Sequence, residues 1–150
     1  MAPTEERSRA VFLDRDGVIN RALVRNGRPY APRALEEFEL LPGVVEAAEA
    51  LREERFRLIV VTNQPDVGAG RQEREVVEAI HASLRRQLPL DAVKVCYHVN
   101  ADRCACRKPR PGMLLDAARE WDLALSESFI VGDRWCDIAA GRAAGCRAIL

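Results

Sequence analysis

The chain has 150 residues, enough for one domain with one sizeable core and too few to argue for two. Its 23 basic residues balance 23 acidic ones, so no net field recruits nucleic acid or a membrane surface, and no apolar run approaches the roughly 20 residues of a membrane span. The polar start MAPTEERSRA lacks the apolar centre of a signal peptide, so the expectation is a soluble cytoplasmic monomer, one domain over 1–150 with a disordered tail over 1–9.

Along the chain, β-rich apolar runs alternate with helical patterns. The first run, AVFLD (10–14), precedes a non-periodic piece from Gly17 to Leu41 that is rich in Arg, Asn, Gly and Pro. Loops of that length are usually functional. After LPG (41–43), Val44, Ala48 and Leu51 mark one face of a helix, and FRLIVVTN (56–63) reads as the second strand. Val77, Ile80, Leu84 and Leu88 follow helical steps of three and four before the third strand, AVKVCYH (92–98). A further helix starts at RPG (110–112) and carries Leu114, Ala118 and Trp121; ESFIVGD (127–133) and CRAIL (146–150) complete the strands. Continuous apolar strands between amphipathic helices predict a doubly wound α/β fold around a parallel sheet. Ligands of such folds bind beyond the carboxyl ends of the strands.

Those ends are polar. Asp14 and Asp16 follow the first strand, Thr62 and Asn63 close the second, Arg107 and Lys108 follow the third, and Asp133 and Asp137 follow the fourth. Gathered carboxylates repel one another unless a hard divalent cation sits among them, and Mg²⁺, which keeps waters and binds phosphate, suits that role. Lys108 offers a point charge to the same phosphate. The set points to phosphoryl transfer, against the plainer reading of DRDG and TN as turn and cap residues.

Five cysteines are an odd number for a disulfide framework. Four ligand types cluster as CYHVNADRCAC, where Cys96, His98, Cys104 and Cys106 can close a tetrahedron around a structural Zn²⁺. Free thiols, or a redox pair of Cys104 and Cys106, are the alternatives. Cys136 and Cys146 read as small apolar side chains. His81 lies in the second amphipathic pattern and reads as structural or exposed, without a catalytic role.

In order and wording, these pieces resemble the haloacid dehalogenase superfamily of phosphohydrolases. DRDGV fits its first motif, DxDG[TV]; VVTN fits the second; Lys108 fits the third; VGDRWCD fits the fourth, GDx3D. The resemblance implies a Rossmann-like core in which Asp14 is the nucleophile and Asp16 the general acid and then base. It further implies that Thr62, Asn63 and Lys108 bind phosphate, and that Asp14, the Asp16 carbonyl and Asp133 hold Mg²⁺, with Asp137 orienting waters or Lys108. Too little chain separates the motifs for a cap domain. Members of the superfamily commonly continue past the fifth strand, which here reaches Leu150.

The pattern CxH…CxCRKPxPGM after FLDRDGVIN is similar to the superfamily's zinc-containing group, which hydrolyses heptose 1,7-bisphosphate or histidinol phosphate. CACRKPRPGM and VVTNQPDVGAGR favour the heptose branch, with histidinol phosphate as the alternative. The resemblance implies a small phosphorylated sugar as substrate. Choice of substrate falls to loops 19–32, 64–71 and 97–110, with Arg107 and Arg71 as candidate grips on a second anionic group. Arg71 stands one place later than the group's usual Ala-Arg-Gly order. A silent zinc module that binds a partner through Arg107, Lys108 and Arg110 is the reading from a different class.

Overall fold

The computed structural model describes residues 5–150. In chain order the elements are β1 (Arg9–Leu13), β2 (Leu23–Arg25), β3 (Arg28–Tyr30), α1 (Val44–Glu53), β4 (Phe56–Asn63), the single turn α2 (Pro65–Gly68), α3 (Arg74–Gln87), β5 (Ala92–Cys96), α4 (Gly112–Trp121), β6 (Phe129–Val131), α5 (Trp135–Ala144) and β7 (Arg147–Ile149). Five strands form one sheet in the order β5-β4-β1-β6-β7, and every pairing in it is parallel. No helix of the described residues is long and apolar enough to cross a membrane.

The period of two along each strand divides the core into two layers. Ala10, Phe12, Ile59, Val61 and Ile130 face Met113, Leu114 and Ala117 of α4 and Ala140 of α5. Val11, Leu13, Leu58 and Val60 face the opposite way, onto Ala48 of α1 and Leu84 of α3. Side chains such as Phe12, Ile59 and Leu58 are fully buried, each contributing roughly 1.5–3 kcal/mol of transfer free energy. β1 sits at the centre of the sheet, so the residues after it emerge between the ends of β4 and β6. The Asp14 N–H donates to the Val131 carbonyl at 3.0 Å, which carries the strand geometry one residue past β1.

Three expectations need correction. The piece from Gly17 to Leu41 contains an antiparallel hairpin of β2 and β3. Its turn residues Asn26 and Gly27 both take positive φ, 50° and 73°, as a two-residue hairpin turn demands. The Asn-Gly pair was the visible signal, but three-residue strands facing solvent give no alternation to read. Ser8 and Arg9, read as part of a tail over 1–9, belong to the fold. Residues 1–4 lie outside the described residues, whereas Ser8 exchanges backbone hydrogen bonds with Asp122 and Ala124, and Arg9 opens β1. The strands at 92–98 and 127–133 stop at Cys96 and Val131, where the chain turns into the loops of the site.

His81 is buried with Val77, Ile80 and Leu84 on the inner face of α3, and its Nε2 lies 2.9 Å from Nη1 of Arg15. A guanidinium can only donate, so Nε2 accepts and the ring is neutral. Burial, reinforced by the Arg15 charge, lowers the imidazole to about 4. The unfolded chain therefore takes up this proton at higher pH than the folded one. Stability from this group is complete above about pH 6.5 and falls by about 3 kcal/mol as pH drops to 4. Urea unfolding of His81→Gln over that interval is expected to show a flatter pH dependence than the parent chain; equal slopes would contradict the assignment.

Candidate active site

Lys108 is buried, and its ammonium has an acceptor for each of its three protons: Asp14 Oδ1 at 2.8 Å, Asp137 Oδ1 at 2.6 Å and the Val61 carbonyl at 2.7 Å. Asp14 comes from the end of β1, Val61 from β4 and Asp137 from the first turn of α5, so one cation ties three elements. Burial pushes the Asp14 carboxyl up to about 6, against the pull of Lys108 and with further repulsion from Asp137. Burial disfavours the Lys108 charge as well, but the two carboxylates outweigh it and raise the ammonium's affinity for its proton. Asp137 is fully buried; its Oδ2 accepts from the Arg134 N–H and caps α5. One carboxylate thus caps α5 and holds Lys108.

Asp133, exposed, completes an oxygen cluster with Asp14 and Asp137, with ligand atoms of the three within 4.8 Å of one another. Gly17 makes this possible. A Cβ there would collide with the Asp133 carboxylate, and its φ of 89° suits glycine. A hard cation bound by few protein oxygens fits this donor set.

Asp16 points to the same cleft but is held differently. Arg15 Nε and Nη2 fork onto its carboxylate at 3.0–3.2 Å, Asn20 Nδ2 donates at 2.9 Å and Gln64 Nε2 at 3.0 Å. Burial works to raise the Asp16 carboxyl, but the Arg15 charge and these bonds prevail and hold it below its ordinary value. The two carboxyls of DRDG are thus driven apart, one up and one down.

Gln64 spends both amide protons inside the site, one on Asp16 and one on Thr62 Oγ1 at 2.9 Å. The buried Thr62 hydroxyl is then left with a proton to donate. Asn63 pairs its side-chain amide with both backbone groups of Lys108, accepting from its N–H at 3.0 Å and donating to its carbonyl at 3.1 Å. Sequence reasoning gave Asn63 a phosphate to hold; its side chain also sets where Lys108 stands.

The sulfur cluster forms. Cys96 Sγ lies 3.0 Å from Cys106 Sγ and 3.7 Å from Cys104 Sγ, and His98 Nδ1 lies 3.3 Å from Cys106 Sγ. These separations exceed the roughly 2.05 Å of a disulfide. The 3.7 Å and 3.3 Å separations lie near the edges of a tetrahedron whose ligands stand about 2.0–2.3 Å from a shared centre, and the 3.0 Å separation is tighter than such an edge. Burial opposes the Cys104 thiolate, but the Arg107 N–H at 3.3 Å and the neighbouring sulfurs bring the thiol down to about 6. The cluster runs directly into Arg107 and Lys108. Cys146 packs in the core as expected, whereas Cys136 lines the catalytic cleft.

That cleft, of about 60 Å³, is lined by Asp14, Asp16, Asn63, Lys108, Arg134, Cys136 and Asp137. It opens into two chambers. One, of about 440 Å³, lies against the zinc-type loop with Asn100, Arg107 and the exposed Trp135; the other, of about 490 Å³, lies against the hairpin with Tyr30, Arg33 and Arg71. Arg107 is half-committed, giving Nε to Asn100 Oδ1 at 2.7 Å and Nη1 to the His98 carbonyl at 3.3 Å. Arg71 reaches its chamber but forks onto Asp66 at 2.8–3.1 Å. Arg134 borders the cleft and both chambers, and its guanidinium has no partner among the described residues. It was missed in the sequence, although it directly follows Asp133 in VGDRWCD; Arg15 and Asn20, one and four residues from Asp16, were missed as well, and Gln64 was missed because its partner Asp16 lies 48 residues away.

Comparison with known proteins agrees with this geometry. Residues 14–145 match the haloacid dehalogenase-like hydrolases. The chain is 44% identical over 134 residues to a D-glycero-alpha-D-manno-heptose-1,7-bisphosphate 7-phosphatase of Mycobacterium tuberculosis, covering 85% of this chain and 68% of that one. It is 34% identical over 140 residues to a D-glycero-beta-D-manno-heptose-1,7-bisphosphate 7-phosphatase of Helicobacter pylori, covering 89% and 77%. The crystal structure of D,D-heptose 1,7-bisphosphate phosphatase from B. bronchiseptica, complexed with magnesium and phosphate, superposes with a TM-score of 0.83 at 34% identity, over 93% of this chain and 78% of that one. With the four motifs gathered at one end of the sheet and the match running through nearly all of it, the chain belongs to the haloacid dehalogenase-like hydrolases.

Proposed function

We propose that the chain is an Mg²⁺-dependent phosphatase that removes the 7-phosphate of a D-glycero-D-manno-heptose 1,7-bisphosphate through an aspartyl phosphate on Asp14. The observation that carries this reading is the buried triad of Asp14, Lys108 and Asp137 at the floor of a cleft whose outer chambers are lined with arginine. Asp14, Asp133 and the Asp16 carbonyl would hold Mg²⁺, which when bound offsets charge on the phosphate oxygens.

Asp14 attacks phosphorus, the bond from phosphorus to the sugar oxygen breaks, and the departing oxygen takes a proton from Asp16. A water then loses a proton to Asp16 and attacks the same phosphorus. The Asp14–phosphate bond breaks, the carboxylate returns and inorganic phosphate leaves. Lys108 and the Thr62 hydroxyl supply charge and a hydrogen bond to the phosphoryl oxygens without reorganising. Arg107 and Arg134 are placed to meet the second phosphate of a bisphosphate. Histidinol phosphate, whose leaving part carries an ammonium, fits an arginine-lined chamber poorly. The zinc-module reading leaves the buried carboxylates without a purpose.

Cys96, His98, Cys104 and Cys106 would hold a structural Zn²⁺, with no position left open for chemistry. Its role is to fix the loop that delivers Arg107 and Lys108.

Phosphate release from both anomers of the heptose bisphosphate and from histidinol phosphate separates the substrates: kcat/KM is expected to favour a heptose bisphosphate, and a clear preference for histidinol phosphate would overturn the assignment. Asp14→Asn should abolish turnover while fold and zinc content persist; sustained turnover removes Asp14 from the nucleophile role. Cys104→Ser should lose stoichiometric zinc, lower the melting temperature and raise KM. Unchanged zinc by elemental analysis, with unchanged KM, would contradict the loop's role.

A further inference from the structure

Of the four buried residues on the inner face of α3, only His81 is polar, and its one protein partner is Arg15. Arg15 is fully buried although it carries a permanent charge. Of the five hydrogen bonds that fix the Asp16 carboxylate, Arg15 makes three, through Nε and Nη2. The remaining corner of its guanidinium, Nη1, points the other way and donates to His81 Nε2 at 2.9 Å. A guanidinium is a rigid plane, so holding one corner sets the direction of the other two.

The chemistry of the partner matters as much as its position. A carboxylate at residue 81 would compete with Asp16 for the Arg15 charge. An aliphatic side chain would leave Nη1 buried without an acceptor, which burial penalises. A neutral imidazole accepts the bond and takes none of the charge. It also sits on a 14-residue helix rather than on a loop, where its position is set by packing.

We infer that His81 is a positioning residue for the reaction: through Nη1 of Arg15 it holds the guanidinium plane that keeps the Asp16 carboxylate aimed into the cleft. This rests on the reading of Asp16 as the group that protonates the departing oxygen. His81 touches neither the cleft nor Lys108, so metal and phosphate binding should not depend on it.

The test exploits the leaving group. An alkoxide departs with a proton from Asp16, whereas a nitrophenolate departs without one. Magnesium- and zinc-loaded protein would be assayed near neutral pH on an alkyl phosphate and on 4-nitrophenyl phosphate. His81→Leu is expected to lose about 10- to 100-fold in kcat/KM on the alkyl ester and less than about threefold on the aryl ester, with inhibition by inorganic phosphate unchanged. His81→Gln, which restores an acceptor, should recover most of the loss. Asp16→Asn sets the scale with a larger loss of the same selectivity. If Asp16→Asn is selective and His81→Leu is either unimpaired or equally impaired on both esters, the imidazole is structural only and the inference is wrong. If Asp16→Asn itself shows no selectivity, the reading of Asp16 falls and the inference with it. Should His81→Leu not fold, His81→Asn, whose shorter amide falls short of Nη1, is judged by the same criteria.

Discussion

A buried ammonium tolerates no vacancy around its three protons, and Lys108 meets that demand with one carboxylate from β1, one from α5 and one carbonyl from β4. Removing a partner from such a buried pair typically costs about 3–5 kcal/mol, because the remaining charge is stranded. The rest of the architecture serves to supply that set. β1 must be central so that Asp14 emerges between its neighbours, β4 must run on to Asn63 so that the amide can grip the Lys108 backbone, and α5 must begin where Asp137 faces inward. The long apolar strands are what make the site dry enough for these charges to act on one another strongly.

The chain is neutral as a whole and sharply polarised within. Acid gathers at the floor of the cleft, and arginine lines the chambers beyond it. A phosphorylated molecule entering from outside meets cationic walls first and reaches the carboxylates last, where a bound divalent cation would reverse their sign. Local arrangement, rather than bulk charge, directs the anion.

The parallel sheet, the four polar strand ends and the sulfur cluster were legible because each depends on short runs of sequence: apolar blocks, turn residues after them and ligands at fixed spacing. Asp14, Asp16, Asn63 and Lys108 line one cleft at the ends of the strands, with Thr62 closing β4 and Asp133 following β6. The hairpin went unread because its strands are three residues long and lack a buried face. The partners of Asp16 went unread for another reason. Gln64 approaches it from the end of β4, and His81 reaches Arg15 from α3; nothing in their own neighbourhoods marks them as polar groups that would meet Asp16 and Arg15 across 48 and 66 residues of sequence. Arg71 shows the converse. Its loop looked right, yet the nearest carboxylate, Asp66, occupies its fork.

Asp137 has a temporal consequence. One carboxylate both starts α5 and secures the lysine beside Asp14, so the buried charges at the end of β1 come into balance only once α5 has docked. A chain stalled before that docking would carry Asp14 and Lys108 at the end of the sheet without the carboxylate that completes their network.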